Sequence, residues 1–565
     1  MSEHRESRKM SDSHISKTLG HGAADVIVVG SGAAGCVAAI TAARQGCSVC
    51  LVESHESFGG TTAKSTGVVW VPNNPRLRES GVLEDRDAAL LFMASAGYPK
   101  QFAAGAPKLG LDAITYNRLV AFYDQGCAVI EDLEEHTALR FITRLTRRGE
   151  WFPDYLADHP YNRTPAGRAL VVRSRTDTRV KHLGGGGNGE ELISQLVGHI
   201  DALGIDTRLK TQVVGLLFAH EGAVVGVQVL GDGVSTKIQA RKGVIFATGG
   251  YSENAEMRHR LAGTVFATFG APSCQGDFLR ITELAGARMA HAGRAYWSQY
   301  PFQASVGVPP QVFRSNSLPG DSMILVDRHG RRIMNEKAPY PQRGAFHSQP
   351  DLDDGTHSHL LAFMIYDSRT ARLYAGHAPI PQSEQTPGYL LRGESLAELE
   401  REIRYRLAEY ADLTAGVTLA PDFLIRLQES IGEFNQFAAT GLDRLYARGN
   451  ARQDYAFFLK TDDELAQENP FPNKSMHPMS NCGPYFAVIH AGHILDTCEG
   501  PMTNAQGQVI SSDGNVIPNL YAAGNCAASI SPNTYFGGGM PIGIAMAFGR
   551  ACGLHCADNP SFART

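Results

Sequence analysis

Residues 25–53, DVIVVGSGAAGCVAAITAARQGCSVCLVE, constrain the fold more than any other stretch of this 565-residue chain. Residues 26–29 are an apolar run of the length a buried parallel strand requires. Gly30-Ser31-Gly32-Ala33-Ala34-Gly35 comes next with G-x-G-x-x-G spacing. Residues 37–44 then read as a helix of small residues, Gly46 ends it, residues 48–52 are a second strand and Glu53 closes that strand. In such a unit the first glycine permits the tight turn, the second lets the backbone approach a pyrophosphate and the third lets helix and strand pack closely. The helix N-terminus offers unpaired N–H groups to the phosphates, and Ala33 and Ala34 of the loop before it are expected against the cofactor. Glu53 is placed to accept ribose hydroxyls. A lone glycine pattern is weak evidence, but strand, loop, helix, strand and acid in order specify a dinucleotide site.

The residues just after the acid select the dinucleotide. Residues 58–67 are a second cluster of glycines and hydroxyls, carrying Gly60, Thr61, Thr62, Ser65, Thr66 and Gly67. An NAD fold does not need this cluster, whereas a flavin site does, because the pyrophosphate and ribityl chain run past it. Thr248-Gly249 closes one apolar strand, and Gly524-Asn525 ends another. Together these segments resemble the FAD-binding pattern of the fumarate reductase and succinate dehydrogenase flavoprotein superfamily. The resemblance implies an α/β fold, a Rossmann-like FAD-binding domain with an inserted α+β substrate domain. It also implies FAD held non-covalently, because Ser57 and Phe58 stand where respiratory relatives carry a covalent histidine. Val213 and Asp277 are expected against the cofactor, Asp277 on its isoalloxazine side.

The chain divides accordingly into a disordered tail (1–22), a first FAD-binding segment (23–288), a substrate domain (289–474) and a second FAD-binding segment (475–565). Helical periodicity covers residues 85–96, 116–136, 190–203, 396–410 and 420–438. Residues 211–240 alternate as a β-meander, and residues 323–327 and 331–334 flank a hairpin turn at His329-Gly330. Residues 485–495 and 516 onward are expected to rejoin the FAD-binding domain. Residues 151–162 form an aromatic, proline-rich loop, and Gly184 to Gly187 a glycine run that suits close approach to a cofactor or a mobile loop.

Composition excludes several classes. A net charge of −5 leaves no basic footprint for nucleic acid. Ten scattered cysteines, with Cys47 and Cys50 straddling a helix end and a buried strand, make no zinc site and suit a reducing cytosol. Residues 1–21 have no apolar signal region, and residues 26–43 are the nucleotide strand and helix. A cytoplasmic protein with at most peripheral membrane contact and no metal is expected.

Three motifs narrow the resemblance. Residues 59–75, GGTTAKSTGVVWVPNNP, resemble the matching stretch of 3-ketosteroid dehydrogenases. Arg332 to Tyr340, RIMNEKAPY, resembles their R-F-x-N-E-x-x-x-Y segment, whose tyrosine is the catalytic base. Gly524-Asn525, Ser529 and Tyr535 to Gly543, YFGGGMPIG with Ile542, resemble their closing segment, in which the tyrosine and the last glycine hold the ketone oxygen. This chain departs from that family at Phe536, which stands for a proline, and at residues 496–500, DTCEG, where T-K-G-G is usual.

Residue chemistry makes the implied reaction feasible. Desaturating a ketone beside its carbonyl removes an α-proton and a β-hydride. Flavin N5 accepts the hydride. A tyrosine with its ordinary pKa near ~10 is a poor base unless a neighbouring hydroxyl or a field stabilises its phenolate. The growing enolate needs donors aimed at its oxygen. Tyr340 is expected as base, with Tyr155 as its helper hydroxyl and Tyr161 and His159 as rivals. Tyr535 and the N–H of Gly539 are expected as the two donors. The expected substrate is a steroid-like cyclic ketone, with a quinone-type or artificial compound re-oxidising the flavin. The alternatives are a smaller cyclohexanone-type ketone, a fumarate reductase-like reaction, and a non-catalytic flavin carrier.

Overall fold

A computed structural model describes residues 22–561 except 165–166, 174–187, 262–264, 307–316, 350–357, 458–463 and 465–466. The glycine run at 184–187 and most of the N-terminal tail therefore lie outside the described residues.

Two sheets organise the chain. In the first, strand Gly22–Val29 lies between Val49–Val52 and Val234–Phe246, all parallel, and Val516–Ala522 joins parallel to the outer side of Val234–Phe246. The meander strands Thr211–Phe218 and Val224–Gly231 pair antiparallel and lead into Val234–Phe246. That last strand is continuous over 13 residues, so it belongs to both meander and nucleotide sheet. Helix Ala33–Arg44 packs on the C-terminal helix Met540–Asp558, and small residues allow it. A Cβ on Gly549 or Gly553 would meet the Ala34 or Ala38 carbonyl of the facing helix.

The second sheet contains Ala267–Thr268, Ala295–Pro301, Met323–Val326, Leu361–Asp367, Leu390–Gly393 and Tyr485–Thr497. Helices Leu396–Glu409 and Phe423–Thr440 cover it with an apolar layer that includes Leu399, Ile403, Leu427 and Phe434.

Residues 485–495, expected to rejoin the FAD-binding domain, form the centre of this second sheet, paired with Ala295–Pro301, Leu361–Asp367 and Leu390–Gly393. The strand is buried on both faces along most of its length, so its sequence has no polar alternation to mark which sheet it joins. With Ala267–Thr268 also paired there, the second sheet draws strands from both sides of the expected 289–474 insert. The turn at His329-Gly330 is present, but strand Met323–Val326 pairs along its length with Leu361–Asp367 and meets the returning chain just past the turn, in a bridge of Val326 to Arg332 and a bond from Ile333 N–H to the Leu325 carbonyl.

Candidate active site

One elongated cleft, with about 1550 Å³ of space open to solvent, runs between the two sheets. At its first end the glycine loop adopts the expected geometry. Gly30 has φ +99°, and a Cβ on Gly35 would collide with the Gly30 carbonyl, which enforces the close helix–strand contact. A Cβ on Gly32 would meet only Thr62 Oγ1 and the Gly59 carbonyl, at 3.7 and 3.8 Å, so the main chain there faces open cleft. Helix Ala33–Arg44 has no side-chain cap. Its first turn is thus left to a ligand, apart from the Ala33 N–H, which donates to Thr62 Oγ1 at 3.2 Å.

Glu53 is buried and braces the loop. Its carboxylate accepts from Ser31 N–H and Oγ at 3.0 and 2.7 Å and from His55 N–H at 2.9 Å. Thr61 Oγ1 accepts from Ala271 N–H at 3.0 Å. Gly60, Thr61, Thr62, Ser65, Thr66, Val213, Thr248, Gly249, Asp277, Gly524, Asn525 and Ile542 all line the cleft with Gly30, Gly32, Ala33, Ala34 and Glu53. Thr248 Oγ1 is buried without a partner among the described residues, as expected of a group that awaits a ligand.

Three of the expected cofactor residues do not line this cleft. Gly35 is behind the loop. Gly67 turns the chain at φ +64° and donates its N–H to Ser65 Oγ at 3.0 Å. Ser529 bonds the Tyr296 hydroxyl at 2.6 Å in a smaller neighbouring cavity. Asp277 lines the cleft but not on the expected side. It accepts from Gln212 Nε2 at 2.8 Å, beside Thr211, whose N–H bonds the Glu53 carbonyl at 2.9 Å. It therefore sits at the Glu53 end, because the helix it opens packs on the meander strand that starts at Thr211.

At the other end three segments bring three tyrosines together. Ring centroids of Tyr155 and Tyr340 are 5.5 Å apart, Tyr155 and Tyr535 5.8 Å, and Tyr340 and Tyr535 6.1 Å. Their hydroxyls and the Gly539 N–H lie close enough to act on one another's ionisation in a row, Tyr155 on Tyr340, Tyr340 on Tyr535 and the Gly539 N–H on Tyr535. Burial pushes all three phenols above the ordinary tyrosine range. Arg144 opposes that rise at Tyr155 and Tyr340. Tyr161 and His159 pack away from the cleft, against Phe102 and Phe92.

Each tyrosine is held by its surroundings. Tyr155 N–H donates to the Phe536 carbonyl at 3.0 Å, which ties the aromatic loop to the 535–539 turn. Asp154 beside it accepts from Trp70 Nε1 at 2.7 Å and pairs with buried Arg168. Gly539 has φ +94°, and a Cβ there would run into the Val68 carbonyl, so only glycine fits against strand Val68–Trp70. Tyr340 opens the short helix Tyr340–Ala345, which lies on Ala295–Pro301 through Gly344.

The residues before Tyr340 form a buried ionic frame. Arg332 meets Glu336 through two bonds, 2.7 and 2.8 Å, and Asp443 at 2.7 Å, and Arg448 reaches Glu336 at 3.1 Å. Although burial raises the Glu336 carboxyl, the two arginines outweigh it and hold it down to about 2. Asn335 donates to both oxygens of Asp454 at 3.0 Å. The R-x-x-N-E part of the motif therefore supports Tyr340 and does not itself reach the cleft.

Among the lining residues that sequence reasoning missed, two carry charge-bearing groups. Arg144 lies against Tyr155, and isolated in a loop it carries no motif. Asp496, seen only as a departure, lines the cleft beside Leu495 and accepts from Asn525 Nδ2. Burial pushes its carboxyl up to about 7.

Comparison with known proteins points to an FAD-binding family. The FAD binding domain family matches residues 25–542. A 3-oxosteroid 1-dehydrogenase of Mycobacterium tuberculosis is 30% identical, covering 94% of this chain and 98% of that protein. A 4-oxocyclohexanecarboxylate 2-dehydrogenase of Sinomonas cyclohexanicum is 27% identical over 94% of this chain and 92% of its own length. The crystal structure of a 3-ketosteroid Δ1-dehydrogenase from Sterolibacterium denitrificans, in complex with 1,4-androstadiene-3,17-dione, has the same fold, with TM-score 0.77 and 22% identity over 95% of this chain and 99% of that one.

Proposed function

The chain belongs to the FAD-binding domain family, among its flavin-dependent 3-ketosteroid dehydrogenases, and from that premise we propose that it desaturates a cyclic ketone next to its carbonyl, with a 3-ketosteroid oxidised at Δ1 as the leading substrate. The observation that carries this reading is the row Tyr155, Tyr340, Tyr535 and Gly539 N–H at one end of the FAD cleft. FAD, when bound, supplies the hydride acceptor.

The side chains divide the remaining work. A ketone oxygen between the Tyr535 hydroxyl and the Gly539 N–H receives two donors. Both strengthen as charge grows on that oxygen. Tyr340, next in the row, takes the α-proton, and Tyr155 donates to the Tyr340 oxygen and so stabilises its phenolate. Closely packed aromatic walls, Phe152 and Phe457 with Tyr155 and Tyr340, keep water from the carbanion.

A smaller ring ketone is the second reading, supported by the likeness to the 4-oxocyclohexanecarboxylate enzyme. A fumarate reductase-like reaction has less support. Among the described residues the cleft is lined by one arginine, Arg144, and by no histidine, whereas a dicarboxylate needs several cations.

Anaerobic bleaching of the bound flavin by androstenedione, cyclohexanone, 4-oxocyclohexanecarboxylate and succinate tests the reading. A ketone is expected to bleach it, and bleaching by succinate alone would overturn it. Tyr535→Phe is expected to slow both bleaching and exchange of the ketone's α-protons with deuterium by about a hundredfold, the effect of losing one oxyanion donor. The loss should fall in kcat and not only in KM.

A further inference from the structure

Arg144 is a buried cation without a buried anion. It follows the short strand Phe141–Thr143, fixed by its N–H to the Ala169 carbonyl and by its own carbonyl to Phe152 N–H, both at 3.0 Å. Its guanidinium lies 3.5 Å over the Phe152 ring and 5.7 Å from that of Phe457. It is 4% exposed, no carboxylate pairs with it among the described residues, and its Nε has no partner. It lies beside the Tyr155 hydroxyl and acts on it electrostatically. A Cβ placed on Gly538 would meet both the Arg144 guanidinium and the Tyr155 hydroxyl, so glycine there admits the pair. A buried charge needs a counter-charge, and none of these neighbours carries one at rest. The groups within reach that can acquire one are the tyrosines.

We propose that Arg144 is the resident cation of the base: acting through Tyr155, its guanidinium stabilises the phenolate that Tyr340 presents to the α-proton. This makes it a positioning residue, since it touches Tyr155 and not the ketone, and the proposal rests on the desaturation reading above. In the step it supports, the Tyr340 oxygen forms an O–H bond as the α C–H bond breaks. The freed electron pair moves onto the carbonyl oxygen, held by Tyr535 and Gly539, and returns to form the Cα=Cβ double bond as the β-hydride departs to the acceptor that FAD would supply when bound. Before the next turn the Tyr340 proton returns to solvent.

The charged and titratable groups that face the row are few. Arg343, on the helix that Tyr340 opens, acts on Tyr155 and Tyr340 from a distance, while it donates to the Ala338 carbonyl and to Gln299 Oε1. Tyr296 backs Tyr535 and bonds Ser529 and the Ser531 carbonyl. Asp154, although adjacent to Tyr155, is committed to Arg168 and Trp70. Arg144 is the cation that both lies beside a tyrosine of the row and lines the cleft.

The test uses flavin-loaded wild type, Arg144→Gln and Arg144→Lys. Exchange of cyclohexanone and androstenedione α-protons into deuterated solvent is followed against pH, and tyrosine ionisation is read independently by 13Cζ-tyrosine NMR, with signals assigned through Tyr155→Phe and Tyr340→Phe. Arg144→Gln is expected to exchange at least about tenfold more slowly at neutral pH, with the rising limb and the cluster's tyrosine titration both displaced upward by about 1 pH unit or more. Arg144→Lys is expected to keep the limb near its wild-type position. An Arg144→Gln enzyme with full flavin content and an unmoved limb would overturn the proposal. So would a rise in KM for 4-oxocyclohexanecarboxylate with cyclohexanone unaffected, which would make Arg144 a binder of the substrate's carboxylate. If Arg144→Gln fails to hold flavin, Arg144→Lys decides, and an upward-displaced limb in that charged variant sinks the idea. If wild type exchanges no ketone protons, the desaturation reading fails instead, and the NMR titration still reports whether Arg144 acidifies the tyrosines.

Discussion

The Glu53 end of the cleft is walled mainly by backbone, the Tyr340 end by side chains. At the first, Gly30, Gly32, Ala33, Ala34, Gly249 and Gly524 present main chain, and the specifying feature is where a Cβ is missing. At the second, Arg144 and Tyr155 from one stretch and Tyr340 and Tyr535 from two distant ones reach in, and the specifying feature is where a functional group is held. A backbone surface tolerates almost no substitution but is indifferent to chemistry. A side-chain surface keeps its shape when a hydroxyl is removed and loses its reaction. The two ends should therefore fail differently when mutated.

The largest expected effect is at the backbone end. Gly35→Ala puts a methyl into the Gly30 carbonyl, and helix and strand cannot separate without opening the sheet. Loss of flavin from the purified protein, with a lowered Tm, is the expected result, and a yellow, stable Gly35→Ala protein would refute the backbone account. Next comes the frame under Tyr340. Glu336→Ala leaves Arg332 and Arg448 buried with less counter-charge, for which about 3–5 kcal/mol of stability is the usual cost. Urea unfolding at constant m-value measures it. Third is Tyr340→Phe, which keeps the ring and removes the base. Flavin content should be unchanged while reduction by the ketone slows at least about a hundredfold. Turnover within a few-fold of wild type would move the base to Tyr155.

The same contrast explains how much of the molecule is legible in its sequence. The nucleotide end is legible because its determinants are contiguous: strand, glycine loop, helix and acid fall within residues 25–53 and stand in the structure as Gly22–Val29, Ala33–Arg44 and Val49–Val52. Tyr340, Tyr535 and Gly539 can be picked out only because each sits in a segment that resembles a family motif. Arg144 has no such segment and belongs to the site through tertiary packing alone. The sheet that strand Tyr485–Thr497 joins is not legible, because a strand buried on both faces carries no periodicity that names its neighbours. Asp277 is expected at the wrong end because a helix start specifies a local direction and not which wall of the cleft it faces.

Asp496 stands where the two regions join, and the smallest expected effect is there. It lies at the end of the second sheet's central strand, yet it pairs across the cleft with Asn525 of the nucleotide region. Its carboxyl is pushed up to about 7 by burial, which outweighs the hydrogen bonds from Thr497 N–H and Asn525. The unfolded chain releases this proton near pH ~4, so between about pH 4 and 7 the folded state holds more protons than the unfolded one. Stability therefore falls as pH rises through that window, the reverse of a salt-bridged acid such as Glu336, whose contribution is lost only on acidification toward about 2. Asp496→Asn removes the titration while preserving an acceptor for Asn525. Its Tm should be flatter than that of wild type between about pH 5 and 7, with the two converging toward the acid side. A wild-type Tm that rises across the window, or an Asn variant with the same slope, would mean that Asp496 is already ionised in the folded protein and that a cation reaches this seam from the cofactor or from solvent.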